Sequence, residues 1–254
     1  MAAVSLLSLA CASFGSGSSN IMPGLPRHTG PATIFAPGVV STGDVFASTF
    51  SPDGRTVVFT KFSPPRMTLM TSTLRDGVWS IPVALPFSGR YRDLDPSFTP
   101  DGNRLYFSSW RPIDEATLDT MNASDTWYVD RRRDGWDAPI RLAEPANSGE
   151  IDMYPSVTRS GTLYFDSFRS TPRRRLVYRA ERRGDGSLAT PVALDATINA
   201  DSGASNLFVD PWIRTSVTSS SRRTDRKALA LSISTSACGS RMGRGRRREI
   251  SVLM

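Results

Sequence analysis

The chain has 254 residues, 39% of them hydrophobic, which is enough for one sizeable folded domain. Its formal net charge is +7. Residues 212–254 contain ten basic and two acidic residues and so carry +8, which leaves a net charge of −1 for the first 211 residues. This distribution argues against specific nucleic-acid binding by the body of the chain. The two cysteines, Cys11 and Cys238, exclude a disulfide framework and a cysteine-based metal site.

Residues 1–20 resemble an export signal followed by a linker. Residues 1–13 form a short apolar run that ends in small residues, without a basic residue before it, and Gly and Ser dominate 15–20. Cys11 follows Ser-Leu-Ala, which partly resembles a lipoprotein cleavage site. We therefore predict a periplasmic or secreted protein, with a lipid anchor at Cys11 as an option. The alternative is a disordered or buried N-terminal segment. The run is too short to span a bilayer.

Two motifs recur three times in the same order. The first covers Phe50–Phe59, Phe98–Phe107 and Val157–Phe165, with Pro-Asp-Gly inside the first two copies. The second is an x-x-x-Pro sequence that begins at Trp79, Trp136 and Leu188. The spacing between copies of the first motif is 48 and 59 residues. Such self-similarity predicts a repeat architecture.

Each repeat has the turn chemistry of four antiparallel strands. Pro-Asp-Gly is a turn sequence, and β-branched and aromatic residues follow it. A third strand then ends at Asp-Gly, at 76–77, 134–135 and 185–186, which predicts a hairpin into a fourth strand starting at Trp79, Trp136 or Leu188. Four strands in about 50 residues are the blade of a β-propeller.

The predicted fold class is therefore all-β. We expect a β-propeller over residues 31–211, with blades at 44–92, 93–149 and 150–200 and a partial fourth blade at 201–211, in which Val209 takes the position of Phe50 and Phe98. Residues 33–40 are predicted to form a lone strand before the first blade.

The pattern ends abruptly after Pro211. Residues 212–254 are rich in Ser and Arg and contain neither a further turn signal nor another Trp-x-x-Pro motif. We interpret this irregular tail as disordered or as the product of a shifted reading frame, with a degenerate final blade as the alternative. The tail ends in an Arg cluster at 244–248, but it lacks interleaved aromatic residues, so no specific nucleic-acid partner is predicted.

The repeat F-x-P-D-G-x-x-L-x-F, followed by S-x-x-R, resembles the WD-type repeats of TolB-like propellers over residues 33–211. The resemblance implies an extracytoplasmic bacterial propeller that holds protein partners through one face or its central channel. The chain departs from that family in lacking its N-terminal α/β domain and about half of its six blades. The family's partner interface therefore does not transfer to residues of this chain.

Acidic pairs precede equivalent strands in the second and third repeats, and an arginine follows the second strand of each. One hypothesis is a ring of acids at the channel mouth that binds a cation or a basic peptide. The alternative, favoured by the recurrence, is turn capping and ion pairing with the arginines. A loop tryptophan is a further contact candidate. The candidate partner contacts are Asp93, Asp95, Trp110, Arg111, Glu150, Asp152 and Arg169.

No catalytic constellation is recognisable. His28 is the single histidine, and no Gly-x-Ser-x-Gly motif occurs. The predicted function is a non-catalytic protein-binding or scaffolding propeller at the bacterial cell envelope, without cofactor. The alternative is a propeller fragment of a larger hydrolase, a peptidase or glycan-active enzyme. Because the predicted blades are too few to close a ring, we also expect self-association through open blade edges.

Overall fold

The computed structural model describes residues 34–114, 123–196, 198–199, 207–209 and 232–233. The predicted signal segment and linker lie outside the described residues, as does the basic tail apart from 232–233. Within the described ranges the regular secondary structure consists of sixteen β-strands, so the predicted all-β class is confirmed.

The strands form three successive antiparallel sheets and one short pair. The first sheet contains β1 (Val45–Phe50), β2 (Thr56–Ser63), β3 (Arg66–Arg75), β4 (Val78–Trp79) and β5 (Val83–Ala84). The second contains β6 (Asp93–Phe98), β7 (Arg104–Ser109), β8 (Asp125–Arg132), β9 (Gly135–Trp136) and β10 (Ile140–Arg141). The third contains β11 (Asp152–Val157), β12 (Leu163–Ser167), β13 (Leu176–Ala180) and β14 (Val192–Ala193). The pair is β15 (Leu207–Phe208) with β16 (Ser232–Ile233).

The first hairpin of each sheet closes at the predicted turn. In the second sheet the Thr99 hydroxyl donates to Asp101 Oδ1 at 2.5 Å, and the same oxygen accepts the Asn103 amide at 3.0 Å. Gly102 follows with a φ of +73°, and a Cβ there would lie 2.9 Å from Cδ of Pro52 in the preceding turn. Glycine therefore satisfies both the turn conformation and the close approach of neighbouring turns.

The fourth strand of each sheet differs from the prediction of one continuous strand. In the first two sheets it is split into two-residue pieces that pair with β3 or β8, and a proline lies between the pieces. In the third sheet Leu188 makes only an isolated bridge to Arg182 before β14 begins. Pro82, Pro139 and Pro191 lack the amide hydrogen that a continuous ladder needs, which explains the interruption.

The first strands of the second and third sheets pack on the preceding sheet. Strand β6 contacts β1, β2 and β3, and β11 contacts β6, β7 and β8. All three first strands, β1, β6 and β11, carry a bulge with one residue in the left-handed region: Ala47 (φ +46°), Asp95 (φ +54°) and Tyr154 (φ +57°). The bulges occupy equivalent places in the three sheets.

The hydrophobic core lies between the sheets. Val58 and Leu69 of the first sheet pack against Phe98, Phe107 and Trp127 of the second. The opposite face of the second sheet meets the third through a second cluster, which includes Tyr106, Leu142, Val157, Leu163, Phe165 and Tyr178. Burying one such side chain contributes roughly 1.5–3 kcal/mol, so the sheets are held together mainly by these face-to-face contacts.

The far face of the third sheet is covered by the start of the next unit. Val209 is buried against Tyr164 and Val177. Its amide donates to Ser156 Oγ at 3.1 Å, as the Phe98 amide donates to Thr49 Oγ1 at 3.2 Å one unit earlier. Val209 thus takes the position predicted from the repeat.

Residues 34–40 do not form the predicted lone strand. The Ala36 carbonyl accepts hydrogen bonds from the amides of Val39 and Val40, which closes a turn rather than a ladder. The turn covers the open face of the first sheet, with Val40 buried and the Phe35 ring 5.3 Å from the ring of Trp79. Gly38, with a φ of +74°, allows the reversal that an extended strand would not contain.

Candidate functional site

Asp93 and Arg111 form a buried ion pair at the start of β6. Arg111 Nη2 lies 2.8 Å from Asp93 Oδ1, and the hydroxyls of Ser88 and Ser109 donate to the same carboxylate at 2.8 and 2.6 Å. The guanidinium also lies over the rings of Phe107 and Trp127, at 5.1 and 5.2 Å from their centres. The Asp93 side chain is 0% exposed.

Asp152 and Arg169 repeat this arrangement in the third sheet. Arg169 Nη2 lies 2.7 Å from Asp152 Oδ1, and Nη1 donates to the Pro145 carbonyl at 2.8 Å. Its guanidinium lies over Phe165 and Tyr178. In both sheets the pair therefore connects the first strand, the second strand and the preceding loop, and its charges are matched inside the chain.

Trp110 and Glu150 are on the same end of the sheets but nearer the surface. The Arg92 guanidinium lies 4.6 Å from the centre of the Trp110 ring. Glu150 Oε2 accepts a hydrogen bond from Arg173 Nε at 2.8 Å, and the side chains of this pair are 42% and 56% exposed. These two residues keep surface that another molecule can contact.

Asp95 is on the same strand as Asp93, but it does not recur as predicted. Asp93 and Asp152 are equivalent by strand register, but the residue two positions later is Asp95 in one sheet and Tyr154 in the other. Asp95 is 4% exposed. Burial raises the pKa of Asp95 well above its usual 3.8, and the charge of Asp166 adds to that rise, whereas the Ser108 side chain and the Tyr154 backbone oppose it.

Sequence reasoning did not find two amides that shape the loops between sheets. Asn147 accepts the Thr126 amide at 2.8 Å and donates to the carbonyls of Thr126 and Leu142. Asn199 makes the same three bonds with Val177 and Leu194. The available signal was the shared spacing, since each asparagine stands five residues after the leucine whose carbonyl it binds.

A cleft of about 830 Å³ separates the second and third sheets at their opposite end. Its lining includes Tyr106, Tyr128, Leu142 and Leu188, together with the first hairpin turns of both sheets. Five arginines contribute to the lining, against Asp101, Asp130 and Glu144. The arginines are Arg104, Arg141, Arg159, Arg182 and Arg183.

Two of the cleft arginines are held in place by carboxylates. Arg104 binds Asp130 through Nε at 2.6 Å and Nη2 at 2.9 Å, and it lies 3.8 Å from the centre of the Tyr128 ring. Arg141 binds Asp125 at 2.6 and 3.2 Å. Burial raises the pKa of Asp125, and Arg141 opposes that rise. These pairs give the cleft wall a fixed shape.

Arg182 and Arg183 stand on the other wall, in the hairpin after β13. Both are exposed, and neither takes part in an ion pair formed within the described residues. The Arg182 stem packs on Gly161, where a Cβ would lie 2.6 Å from Arg182 Cδ. The sequence signal for this wall is the pair of arginines ahead of the Asp-Gly turn at 185–186.

Comparison with known proteins finds partial structural likenesses. No protein-family model and no curated protein matches the chain. A protein of Agrobacterium tumefaciens described as a TolB is 21% identical, with a TM-score of 0.42 over 59% of this chain and 49% of that one. TolB from Acinetobacter baumannii is 19% identical, with a TM-score of 0.39 over 59% and 33%. A puromycin-hydrolysing peptidase of Mycobacterium tuberculosis is 18% identical, with a TM-score of 0.40 over 59% and 23%.

The matched region spans half or less of each of these structures. The blade assignment therefore depends on the sheets of the chain itself. Three successive antiparallel sheets have the same strand order, and the first strand of each has a bulge at the equivalent place. No helix among the described residues has the length and apolar character needed to cross a bilayer. The described part of the chain is an array of β-propeller blades.

Proposed function

We propose that the chain is a non-catalytic propeller module that binds an acidic segment of another protein in the cleft between its second and third sheets. The observation that carries this proposal is the combination of Arg182 and Arg183, which are exposed and form no ion pair within the described residues, with the tyrosines on the facing wall. Arginine and tyrosine are the residues that most often dominate the binding energy of protein interfaces.

The dimensions of the cleft favour a short segment of chain. At about 830 Å³ it is within the range of sites that enclose a small ligand or a few residues of a peptide. Its tyrosine and leucine side chains offer apolar contact, and its arginines exceed its acids by two. A peptide with acidic and apolar side chains matches both properties.

A nucleic acid fits the cleft less well. A backbone with a negative charge on every phosphate would meet Asp101, Asp130 and Glu144 in the same lining. A peptide can place its carboxylates beside the arginines and neutral residues beside those acids. The cleft therefore supports a protein partner, in agreement with the neutral charge of the body of the chain.

We also place this module outside the cytoplasm, in the periplasm or the secreted fraction. The support for this part of the proposal is the signal-like composition of residues 1–20 and the resemblance of the repeats to extracytoplasmic propellers. Cys11 is the residue that would carry a lipid anchor.

A fluorescent peptide of alternating Glu and Leu tests the binding proposal by anisotropy titration. We expect the full chain to bind it, more weakly as salt rises, and the double variant Arg182→Glu/Arg183→Glu to bind at least tenfold more weakly. Arg66→Glu is the matched control, because Arg66 is exposed and lies at the other end of the first sheet. Equal losses in the double variant and the control, or full competition by single-stranded DNA, would overturn the proposal.

A further inference from the structure

Neighbouring sheets are joined by the same hydrogen bond at both junctions. The amide of Asp95 donates to the Thr60 hydroxyl at 3.2 Å, and the amide of Tyr154 donates to the Ser108 hydroxyl at 3.1 Å. In each case the donor is the bulge residue of one sheet, and the acceptor is on the second strand of the preceding sheet. Because the two junctions are alike, equivalent loops of the three sheets lie side by side at one end of the array.

An aromatic residue recurs at this end, where the second strand of each sheet leads into the third. Phe62, Trp110 and Phe168 each follow the residue that pairs with the start of the first strand, and we call them the aromatic row. Their amides donate to the carbonyl of the residue before that strand, at 2.8, 3.1 and 3.1 Å. None of the three belongs to the hydrophobic clusters formed by the described residues. Packing of the core therefore does not explain their recurrence.

Arginines lie over two rings of the aromatic row. The guanidinium of Arg92 is 4.6 Å from the centre of the Trp110 ring, and that of Arg173 is 4.8 Å from the centre of the Phe168 ring. An arginine in this position keeps its charge while its planar group rests on an apolar surface. The row therefore combines apolar area and positive charge at the same points.

The loops beside the aromatic row are basic. Loops 62–66, 86–92 and 168–175 contain seven arginines and no acidic residue. Two of the seven form ion pairs within the described residues, which leaves five. Among the acids next to these loops, Asp44 pairs with Lys61 at 3.6 Å, and Asp114 stands in the loop after Trp110. This end of the array therefore carries an excess of positive charge.

Exposed apolar side chains lie among these arginines. Phe62 is 43% exposed and Ile113 is 49% exposed, and Pro64 and Pro65 are exposed as well. A nucleic acid gains from stacking on open ring faces, which an isoleucine and two prolines do not offer. A lipid bilayer gains from the whole set: apolar side chains enter its boundary, aromatic rings favour the headgroup level, and arginines attract anionic lipids.

We propose that this end of the array binds the surface of an anionic lipid bilayer through the aromatic row and the arginines beside it. Since the repeat places equivalent loops side by side, they meet a flat surface together, and each adds apolar and charged contact. The surface is independent of the arginine cleft, which lies at the opposite end of the second and third sheets. Both can therefore be occupied at once.

Cosedimentation of the full chain with lipid vesicles tests the charged contact. We expect stronger binding to vesicles that contain phosphatidylglycerol than to vesicles of phosphatidylcholine alone. The variant Arg66→Glu/Arg174→Glu reverses two exposed charges in the loops and should bind at least tenfold more weakly. Arg182→Glu/Arg183→Glu makes the same change of charge in the cleft and should bind as the parent does. Equal losses in the two double variants would overturn the proposal.

Quenching of tryptophan emission by brominated phosphatidylglycerol locates the contact. Residues 212–254 carry +8 and also attract anionic vesicles, so the signal must come from Trp110. We expect quenching in the parent and in Trp212→Phe, and a smaller quenched fraction in Trp110→Phe, which has the residue found at the other two positions of the row.

Three results of the quenching experiment would overturn the proposal. The first is a parent chain whose emission the brominated lipid does not change. The second is full quenching in Trp110→Phe and none in Trp212→Phe, which would assign the contact to residues 212–254. The third is a change in Trp110 emission caused by single-stranded DNA or by the Glu/Leu peptide but not by vesicles, which would assign the surface to that ligand.

Discussion

Arg111 and Arg169 each make contacts of three kinds: an ion pair with a buried aspartate, hydrogen bonds to loop carbonyls, and a position over aromatic rings. A lysine cannot reproduce the set, because its ammonium group lacks the planar fork that spans the carboxylate and the carbonyls. The arginines therefore act as internal supports for the end of each sheet.

Removing Arg169 should be severely destabilising because Asp152 would remain buried without its cation. We expect Arg169→Ala to lower the free energy of unfolding by about 3–5 kcal/mol in urea titrations. Arg173→Ala is the matched control, since it breaks the exposed pair with Glu150 and should cost no more than about 1 kcal/mol. Similar losses of unfolding free energy in the two variants would show that the ion pair of Asp152 with Arg169 does not stabilise the fold.

The raised pKa of Asp95 predicts a pH dependence of stability. A carboxyl group whose pKa is higher in the folded state binds more protons there than in the unfolded state. Its stabilising contribution is fully present below the unfolded pKa near 3.8 and disappears as the pH rises through the folded pKa. We expect the unfolding free energy of the parent to fall over that range in urea titrations, and Asp95→Ala to show a flatter profile. An identical slope in both proteins would contradict this origin of the pH dependence.

For single residues, the sequence predicted that acidic residues and arginines recur in the second and third repeats, but not which groups each of them contacts. The ion-pairing hypothesis for Asp93, Asp152 and the two arginines agrees with the observed geometry, and the use of these residues as partner contacts stays a prediction. Asp95 was misaligned because matching the acidic pair Asp93/Asp95 with Glu150/Asp152 sets it opposite Asp152. The equal distance of five residues from Asp93 to Phe98 and from Asp152 to Val157 instead makes Asp93 the equivalent of Asp152.

Among the elements, the hairpins were predictable and the outer strands were not. A turn such as 99–104 depends on side chains within five residues of one another, so its sequence carries the whole signal. The outer strand depends on whether a proline interrupts its ladder with β3 or β8. The predicted strand at 33–40 was wrong because its apolar residues pack on a face of the first sheet and do not pair with one of its strands.

The loop between β10 and β11 offers a test at the scale of an element. Asn147 satisfies both backbone groups of Thr126 and the carbonyl of Leu142, and it is buried. We expect Asn147→Ala to cost about 2–3 kcal/mol of unfolding free energy in urea titrations, because buried backbone groups lose their partners. Asn147→Asp should recover the bond from the Thr126 amide only. An alanine variant as stable as the parent would show that water replaces the carboxamide.

At the scale of the whole molecule, the cleft between the second and third sheets could not be predicted from the sequence. Its two walls come from the turns and hairpins of two repeats, and Arg104 and Arg182 are 78 positions apart in the sequence. Repeat periodicity predicts that such walls face each other, but the charge of a cleft depends on which arginines already have partners. That depends on side-chain geometry across the interface.

The outer strands also carry exposed aliphatic residues. Val83, Ile140 and Val192 occupy equivalent places and are 59%, 45% and 58% exposed. We expect the chain to self-associate as its concentration rises, through these edges, because unpaired strands with apolar side chains pair readily. Sedimentation velocity should show a rising sedimentation coefficient, and the triple lysine variant at these positions should reduce the rise. A monodisperse monomer at high concentration would rule out association through these edges.

The hydrogen bond between a bulge amide and the hydroxyl of the preceding sheet gives the array a direction. At the two junctions between the three sheets, the later sheet provides the donor and the earlier sheet the acceptor: Asp95 donates to the Thr60 hydroxyl at 3.2 Å and Tyr154 to the Ser108 hydroxyl at 3.1 Å. The second and third units are therefore interchangeable at these junctions. If the second unit were cut out, Thr60 would meet the amide of Tyr154, and the same contact would form. A gene encoding such units can therefore lengthen or shorten by whole repeats without inventing a new interface, and propellers of different blade number become neighbours in evolution.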